Sequence, residues 1–438
     1  MVGHMSPRIA VVAIAKNEAA YLPHWIAHHL FFGFDEFHLW VNGTTDNSLA
    51  ILEKIKNKFP NIHIYNGDSL LSECQERKIN FQEKAYTKTI SHLITNSNAT
   101  HALFIDIDEF WTPSTFAGSA KDSVRNIHAD VISFLWHIDI PDYSRAVFSD
   151  TFEEKCLLQK DMHVKSMIKL SSAIVYCHIH TCNVKGGSYA LGNGLSFPAS
   201  GQSTDFNMED FSKVNDAYLT NANGYVETSF IYHRINRSTT EYLSSLLRGR
   251  AHALDNSPFK TNRIGYVLES TKIVDFAISE DNLKKYKDYY TNFVKICGIE
   301  EDMNISCNTI MENYNHVVSL FSENPDLIQK YAHVFRGINY ENPKLAHQEY
   351  KNVKSYVDAV VVEKSRVIII GWAFSYVSAV MLPKVFILQN EYDYSFEIID
   401  RPDVKEKFNL GNSQCGFKIK IDLPKNTEIK KEDISIVF

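Results

Sequence analysis

Ile9-Ala10-Val11-Val12-Ala13-Ile14-Ala15 is an unbroken apolar run that stops abruptly at Lys16-Asn17-Glu18. A strand with one solvated face alternates apolar and polar residues, whereas a strand covered on both faces does not. The run therefore predicts a strand inside a sheet that carries helices on both sides. Next, 19–32 sets Leu22, Trp25, Ile26, His29 and Leu30 at helical spacing before Gly33. Glu36–Val41 reads as a second strand closed by Asn42-Gly43. Residues 48–58 and 79–95 read as helices, and 61–65, 102–107 and 131–136 as further strands. Strands and helices alternating at this rhythm predict an α/β fold, Rossmann-like, with a mostly parallel sheet.

The pattern then changes twice. From 150 to 235 Gly, Ser and Asn are frequent and the spacing is irregular, as in mixed strands and loops folded over a site. From 239 to 351 the periodicity is helical, and from 352 short β-type runs alternate with turn residues, which predicts a small β-sandwich. The expected division is 6–238, 239–351 and 352–438, with Met1–Met5 set aside.

Apolar residues at 45% and charged residues at 22% exclude a disordered or collagen-like chain. Lys plus Arg is 45 and Asp plus Glu is 52, a net charge of −7, which speaks against nucleic acid as the partner. No uncharged run reaches the roughly 18 residues of a spanning helix, and the N-terminus does not read as a secretory signal. The seven cysteines are irregularly spaced with no Cys-x-x-Cys, so neither a disulfide framework nor a zinc ribbon is expected, and a reduced cytosolic setting is.

The strongest chemical signal is Leu103-Phe104-Ile105-Asp106-Ile107-Asp108-Glu109-Phe110. If the strand continues through it, Asp106 and Asp108 project to the same side. They would do so at the carboxyl end of a buried strand, where open α/β sheets bind ligands. Two hard carboxylates there suit Mg²⁺ or Mn²⁺, which keep positions open for substrate phosphates. The other reading is acidic residues solvated at a strand end. Phosphatases of the haloacid-dehalogenase type also place Asp-x-Asp after a strand, but want Thr or Val where this chain has Phe110. Lys16-Asn17-Glu18 and Asn42-Gly43-Thr44-Thr45-Asp46 end the first two strands. Each reads either as ligand-contacting or as a helix start, with Asn17, Asp46 or Ser48 as cap.

Together with Trp25, His29 and Gln82-x-x-x-Tyr86, these blocks resemble the family-2-like glycosyltransferases of the GT-A fold, in the subgroup marked by Asp-x-Asp-Glu-Phe. His233-Arg234-Ile235-Asn236-Arg237-Ser238, Glu241-Tyr242 and Arg248-Gly249-Arg250 are similar to that subgroup's closing block. Val41 stands where the subgroup usually has Asp, and Arg234 where it has Tyr. The resemblance implies transfer of a sugar from a nucleotide-sugar, a UDP-sugar first, to a glycan or lipid-linked glycan. It implies Mn²⁺ or Mg²⁺ on Asp106 and Asp108, with His180, upstream of which lies Lys165-x-x-x-Lys169, as third ligand. Lys16, Asn17, Glu18, Asn42, Asp46, Gln82, Asp106, His233 and Arg237 would bind the donor. Residues 173–180 read as a strand with His178 and His180 on one side; His178 and His233 are further candidates at the metal, and Arg237, Arg248 and Arg250 at phosphate.

The subgroup's relatives invert, which requires a general base. Glu209, Asp210, Asp139 and Asp142 are the candidates. Gly371-Trp372-Ala373-Phe374, Arg401-Pro402-Asp403-Val404 and Gly416-Phe417 look like a β-sandwich attached to bacterial glycosyltransferases, where it would bind glycan, pair copies of the chain or dock. The expected setting is surface polysaccharide synthesis in a bacterial cytoplasm, with peripheral contact at the inner face of the membrane. The alternative is a catalytically silent nucleotide- or glycan-binding protein on the same scaffold.

Overall fold

The computed structural model describes residues 6–196, 226–248, 257–268 and 272–338, and most of 354–437. The first half alternates as expected: β1 (Ile9–Ala15), α1 (Leu22–Phe31), β2 (Glu36–Val41), α2 (Ser48–Lys56), β3 (Ile62–Asn66), α3 (Asp68–Arg77), α4 (Phe81–Asn96), β4 (His101–Phe104) and β5 (Glu109–Pro113). It continues through α5 (Ala120–Arg125), β6 (Val131–Asp139), β7 (Lys155–Lys169), β8 (Ile174–Cys177), β9 (Cys182–Val184), β10 (Tyr189–Leu191) and β11 (Ser229–His233). Then come α6 (Thr239–Leu246), β12 (Ile273–Ala277), α7 (Glu280–Cys297), α8 (Glu300–Glu323) and α9 (Pro325–Lys330).

The main sheet runs β3-β2-β1-β4-β7-β6-β11-β5, with β10 also on β6 and β12 on β7. β3, β2, β1 and β4 are mutually parallel. β7 is antiparallel to both β4 and β6, and β5 is antiparallel to β11. The apolar run of β1 has the double burial its sequence requires. Ile9, Val11 and Ala13 pack with Trp25 and Ile26 of α1 and Ile51 of α2, while Ala10 and Val12 pack with Tyr86, Ile90 and Leu93 of α4. The α/β class read from the sequence is the one observed. α3 was not anticipated; its run Asp68–Arg77 buries only Leu70 and Cys74, too few apolar positions to show a period.

The stretch expected to stand apart as a helical region is partly woven into this body. β12 pairs with β7, and Leu283, Tyr286, Phe293 and Cys297 of α7 join the same core as α1. The C-terminal stretch forms β13 (Lys354–Glu363), β14 (Arg366–Phe374), β15 (Lys384–Ile387), β16 (Asn390–Glu391), β17 (Ser395–Ile399), α10 (Pro402–Phe408), β18 (Gly416–Asp422) and β19 (Ile434–Val437). These make a four-stranded sheet, β13-β14-β18-β17, and a three-stranded one, β16-β15-β19. Val367, Ile369, Val385, Ile387, Ile419 and Ile421 fill the space between them. Trp372 is half-buried beside Phe374 and Phe408.

Two local expectations are corrected. β4 ends at Phe104, so Asp106-Ile107-Asp108 is a turn and not the continuation of a strand. Likewise β8 ends at Cys177, so His178 and His180 lie in the turn that joins it to β9. That turn also corrects the cysteine reading, because Cys177 and Cys182 face each other across β8 and β9 and are disulfide-bonded. Cys74, Cys156, Cys297, Cys307 and Cys415 are free thiols.

Candidate active site

The Asp106–Asp108 turn is held from below by α1 and from behind by β7. The Trp25 indole N–H donates to both the Asp106 carbonyl (3.0 Å) and the Glu109 carbonyl (2.9 Å). The Glu109 carboxylate accepts the Asp106 N–H at 2.8 Å, and the Glu109 N–H donates to the Asp106 carbonyl at 3.1 Å. These bonds reverse the chain within four residues, which is why β4 stops before the acidic pair. His29 secures Trp25 by bonding its carbonyl at 2.8 Å. Lys165 enters from β7 with a fully buried side chain, 3.1 Å from Asp106 Oδ2 and 3.3 Å from Glu109 Oε2.

Asp108 is set from the other side. His233 of β11 is the register partner of Glu109, and the Arg234 N–H donates to the Asp108 carbonyl at 2.7 Å. This brings His233 Nε2 to 3.7 Å from Asp108 Oδ1, while Arg263 lies 3.2 Å from Asp108 Oδ2. Gln82 of α4 donates to Asp106 Oδ1 at 3.0 Å and to Tyr86 Oη at 2.7 Å. Asn80, whose side chain accepts the Gln82 and Glu83 N–H groups, caps that helix and fixes where Gln82 points.

These groups border a cavity of about 930 Å³ at the carboxyl ends of β1, β2 and β4, within the usual size of ligand pockets. Its walls include Lys16, Glu18, Asn42, Trp136, His233, Arg248, Lys260 and Arg263. Arg248 is ion-paired with Glu18. Buried polar groups in native proteins nearly always have partners. Here Glu18 Oε2, Asn42 Oδ1, Trp136 Nε1, His233 Nδ1 and Arg263 Nε are buried without one, and all five residues line the cavity.

The electrostatics follow from this crowding. Burial raises Asp106, but the Lys165 ammonium outweighs it and holds the carboxyl below its usual range. Asp108 is also raised by burial, yet His233, Arg263 and Lys260 bring it well below that range. For Glu109, burial and the charges of Asp106 and Asp108 outweigh Lys165 and His233, and the carboxyl is pushed up to about 7. Burial, then Arg263 and Arg248, push Lys260 well below an ordinary lysine. A polyanion entering the cavity would relieve the repulsion among Arg248, Lys260 and Arg263.

Asp106, Asp108, Lys16, Glu18, Asn42, Gln82 and His233 thus meet at one cavity. Asn17 and Asp46 are beside it as braces. Asn17 Oδ1 accepts the Thr45 N–H at 2.7 Å, and Asp46 Oδ2 accepts the Ala19 N–H at 2.9 Å, tying the ends of β1 and β2 together. Gly43 completes that turn at φ +53°, a conformation that favours glycine, and its N–H donates to Asp68 Oδ1 at 2.6 Å. Arg237 is away from the cavity: it lies over the Tyr21 ring at 3.4 Å, and its backbone is held by Asp139 at 2.9 Å. His180 is not among the lining residues; its Nδ1 is 3.0 Å from the Val164 carbonyl. Asp142 is off the cavity too, accepting bonds from Ser144 and Tyr266. Asp139 is buried and paired with Arg145 at 2.8 Å. Glu209, Asp210 and Arg250 lie outside the described residues.

Sequence reasoning did not assign Glu109, Lys260 and Arg263 to the site, and met Lys165 only as part of a basic block. Lys165 carried a usable signal, since it shares a strand face with the buried Met167 and a buried lysine needs an acidic partner. Lys260 and Arg263 carried none; only the fold brings them to Asp108.

Asp108 Oδ1 and His233 Nε2 lie 3.7 Å apart, and Asp106 opens to the same cavity. A site with one or two carboxylates and room for phosphate oxygens is what Mg²⁺ and Mn²⁺ accept, in contrast to an all-protein cage.

No family model matches the chain, and no curated protein does either. Among solved structures it is similar to S. aureus TarS, at 12% identity and a TM-score of 0.28 over 95% of this chain and 72% of that one. It is also similar to the galactosyltransferase LgtC in complex with donor and acceptor sugar analogs, at 16% identity and a TM-score of 0.21 over 37% of this chain and 58% of that one. HddC from Yersinia pseudotuberculosis gives 13% identity and a TM-score of 0.21, over 51% and 92% respectively. Likeness this thin places no activity on the chain, and its function has to be read from its own residues.

Proposed function

We propose that the chain is a metal-dependent glycosyltransferase that moves a sugar from a nucleotide-sugar to a glycan hydroxyl. The observation that carries this reading is the cavity itself. It sets two carboxylates against Lys16, Arg248, Lys260 and Arg263, and its walls hold buried polar atoms that lack partners. A nucleoside diphosphate-sugar has the matching pieces: a diphosphate for the cations, and ribose, base and sugar hydroxyls for Glu18, Asn42, Gln82 and Trp136. Asp106, Asp108 and His233 would hold Mn²⁺ or Mg²⁺, which when bound neutralises charge on a leaving diphosphate.

In the transfer, the acceptor oxygen bonds to the anomeric carbon as the bond from that carbon to the phosphate oxygen breaks. The acceptor proton passes to a general base, for which Glu209 and Asp210 remain the candidates of an inverting reaction. Lys260 and Arg263 stabilise the charge that develops on the departing phosphate. Lys165 keeps Asp106 ionised, and Trp25 and Glu109 keep the turn in shape. The motif blocks suggest a surface polysaccharide as the acceptor's class. Among the described residues no helix is long and apolar enough to cross a membrane.

The test is a panel of nucleotide-sugars incubated with the chain and Mn²⁺, Mg²⁺ or EDTA. One donor should release its nucleoside diphosphate only with metal, and Asp108→Ala should sharply reduce the release. Release of pyrophosphate would make the chain a nucleotidyltransferase instead. Tight nucleotide binding without turnover on any acceptor would make it a silent binding protein.

A further inference from the structure

The amino ends of β2 and β3 carry a second polar cluster, remote from the cavity. Glu36 and His38 are two residues apart on β2 and face the same side, and His63 is the register partner of His38 on β3. Each offers one ligand atom, and the three lie within 4.8 Å of one another. Among the described residues these are the only three metal-ligating groups so close together. Glu36 Oε1 is 2.9 Å from His38 Nε2 and 3.5 Å from His63 Nε2. Two ligands bound to zinc at about 2.0–2.1 Å in tetrahedral geometry stand about 3.3 Å apart. The two distances to Glu36 bracket that value.

We propose that Glu36, His38 and His63 form a zinc site that fastens the edge strand β3 to β2. The outer groups that orient metal ligands are already in place. The Tyr65 hydroxyl is 2.8 Å from His38 Nδ1, so that nitrogen can keep its proton and donate it to Tyr65 while Nε2 binds metal. Ser97 Oγ donates to Glu36 Oε2 at 2.5 Å, which leaves Oε1 for the ion. Burial grades outward along a way in: the side chains are 0% exposed at His38, 12% at Glu36 and 39% at His63. His92 of α4 lies next to this entrance, its ring 5.7 Å from that of His38 and 6.2 Å from that of His63. Two imidazoles and one carboxylate form a borderline-soft donor set, which suits Zn²⁺ better than the hard Mg²⁺ proposed at the other end. Glu36 begins β2 and Val41 ends it, about 16 Å apart along an extended strand. The two metal positions are therefore separate.

The experiment uses the full chain, stripped with EDTA and titrated with Co²⁺ as a coloured stand-in for Zn²⁺. One equivalent should give the visible absorption of tetrahedral cobalt, and Zn²⁺ should displace it and raise the melting temperature. His63→Ala and Glu36→Gln should each weaken uptake at least tenfold, whereas Asp108→Asn should leave the spectrum unchanged. Glu36→Gln keeps an acceptor for Ser97, so it covers the case in which His63→Ala disturbs the edge strand. The proposal fails if the stripped chain shows no tetrahedral signal. It also fails if the signal survives both edge substitutions or vanishes with Asp108→Asn. None of these readings depends on whether the chain transfers sugar.

Discussion

The two ends of β2 carry polar clusters built on opposite plans. At the amino end, Glu36, His38 and His63 come from neighbouring strands of one βαβ unit and keep contact with solvent through His63. At the carboxyl end, the charges come from a turn after β4, from β7 and β11, and from the loops that hold Arg248, Lys260 and Arg263. The first cluster holds one carboxylate, which His38, His63 and Ser97 satisfy together. The second gathers charges around the fully buried Lys165 and Glu109, so removing one leaves its buried partners short of compensation.

The largest expected effect is at Asp108. Asp108→Ala should lower metal-dependent donor turnover by about 10²–10³-fold, the usual price of one preorganised electrostatic group. It should also leave His233 and Arg263 buried without their anion, visible as a lower melting temperature. Lys165→Met comes next. It keeps the volume but strips the counter-charge from Asp106 and Glu109, so unfolding in urea should show a loss of about 3–5 kcal/mol. A loss under 1 kcal/mol would mean that the carboxyl-end cluster is no more demanding than the amino-end one.

A smaller effect separates the two sets of imidazoles by pH. His28 and His29 are fully buried beneath the Asp106–Asp108 turn; burial lowers His28 well below its ordinary value and His29 to about 3. Both are neutral in the fold, whereas in the unfolded chain they gain protons near 6.5. Stability is therefore intact above about pH 6.5 and is lost as pH falls below it, down to about 3 for His29. The slope is about 1.4 kcal/mol per pH unit for each. Denaturant titrations at pH 7 and pH 5 should show His29→Gln weaker than the native chain at pH 7 but with a shallower fall. An unchanged slope would mean that His29 is protonated in the fold.

Much of this was legible in the sequence, and the boundary is physical. β1 and β2 could be read because burial on both faces or a closing Asn-Gly leaves a local mark. Lys16, Glu18, Asn42, Gln82 and the acidic pair could be placed because the ends of parallel strands converge. The path of the chain through Asp106–Asp108 could not. Its strand-breaking turn depends on Trp25, a side chain 81 residues earlier in the chain. For the same reason the position of Arg237, read as a donor ligand but lying over Tyr21, and of His180, whose Nδ1 faces the Val164 carbonyl, could not be read. Basic residues and histidines announce their chemistry in a sequence, but not which partner they reach. The Cys177–Cys182 pair was missed because a single bond across a hairpin has no framework of spacings to reveal it.

The smallest effect is the one most able to break the comparison. In metal-free protein His63→Gln should change stability by less than about 0.5 kcal/mol, since a half-exposed pair with Glu36 contributes little once solvent screens it. With saturating Zn²⁺ the same substitution should cost more, because a ligand that binds only the folded state adds stability that grows with the logarithm of its concentration relative to Kd. Melting curves of the two proteins with EDTA and with Zn²⁺ measure both differences at once. If the substitution costs several kcal/mol in EDTA, the amino-end cluster depends on buried charge as the cavity does, and the contrast between the two ends of β2 is lost.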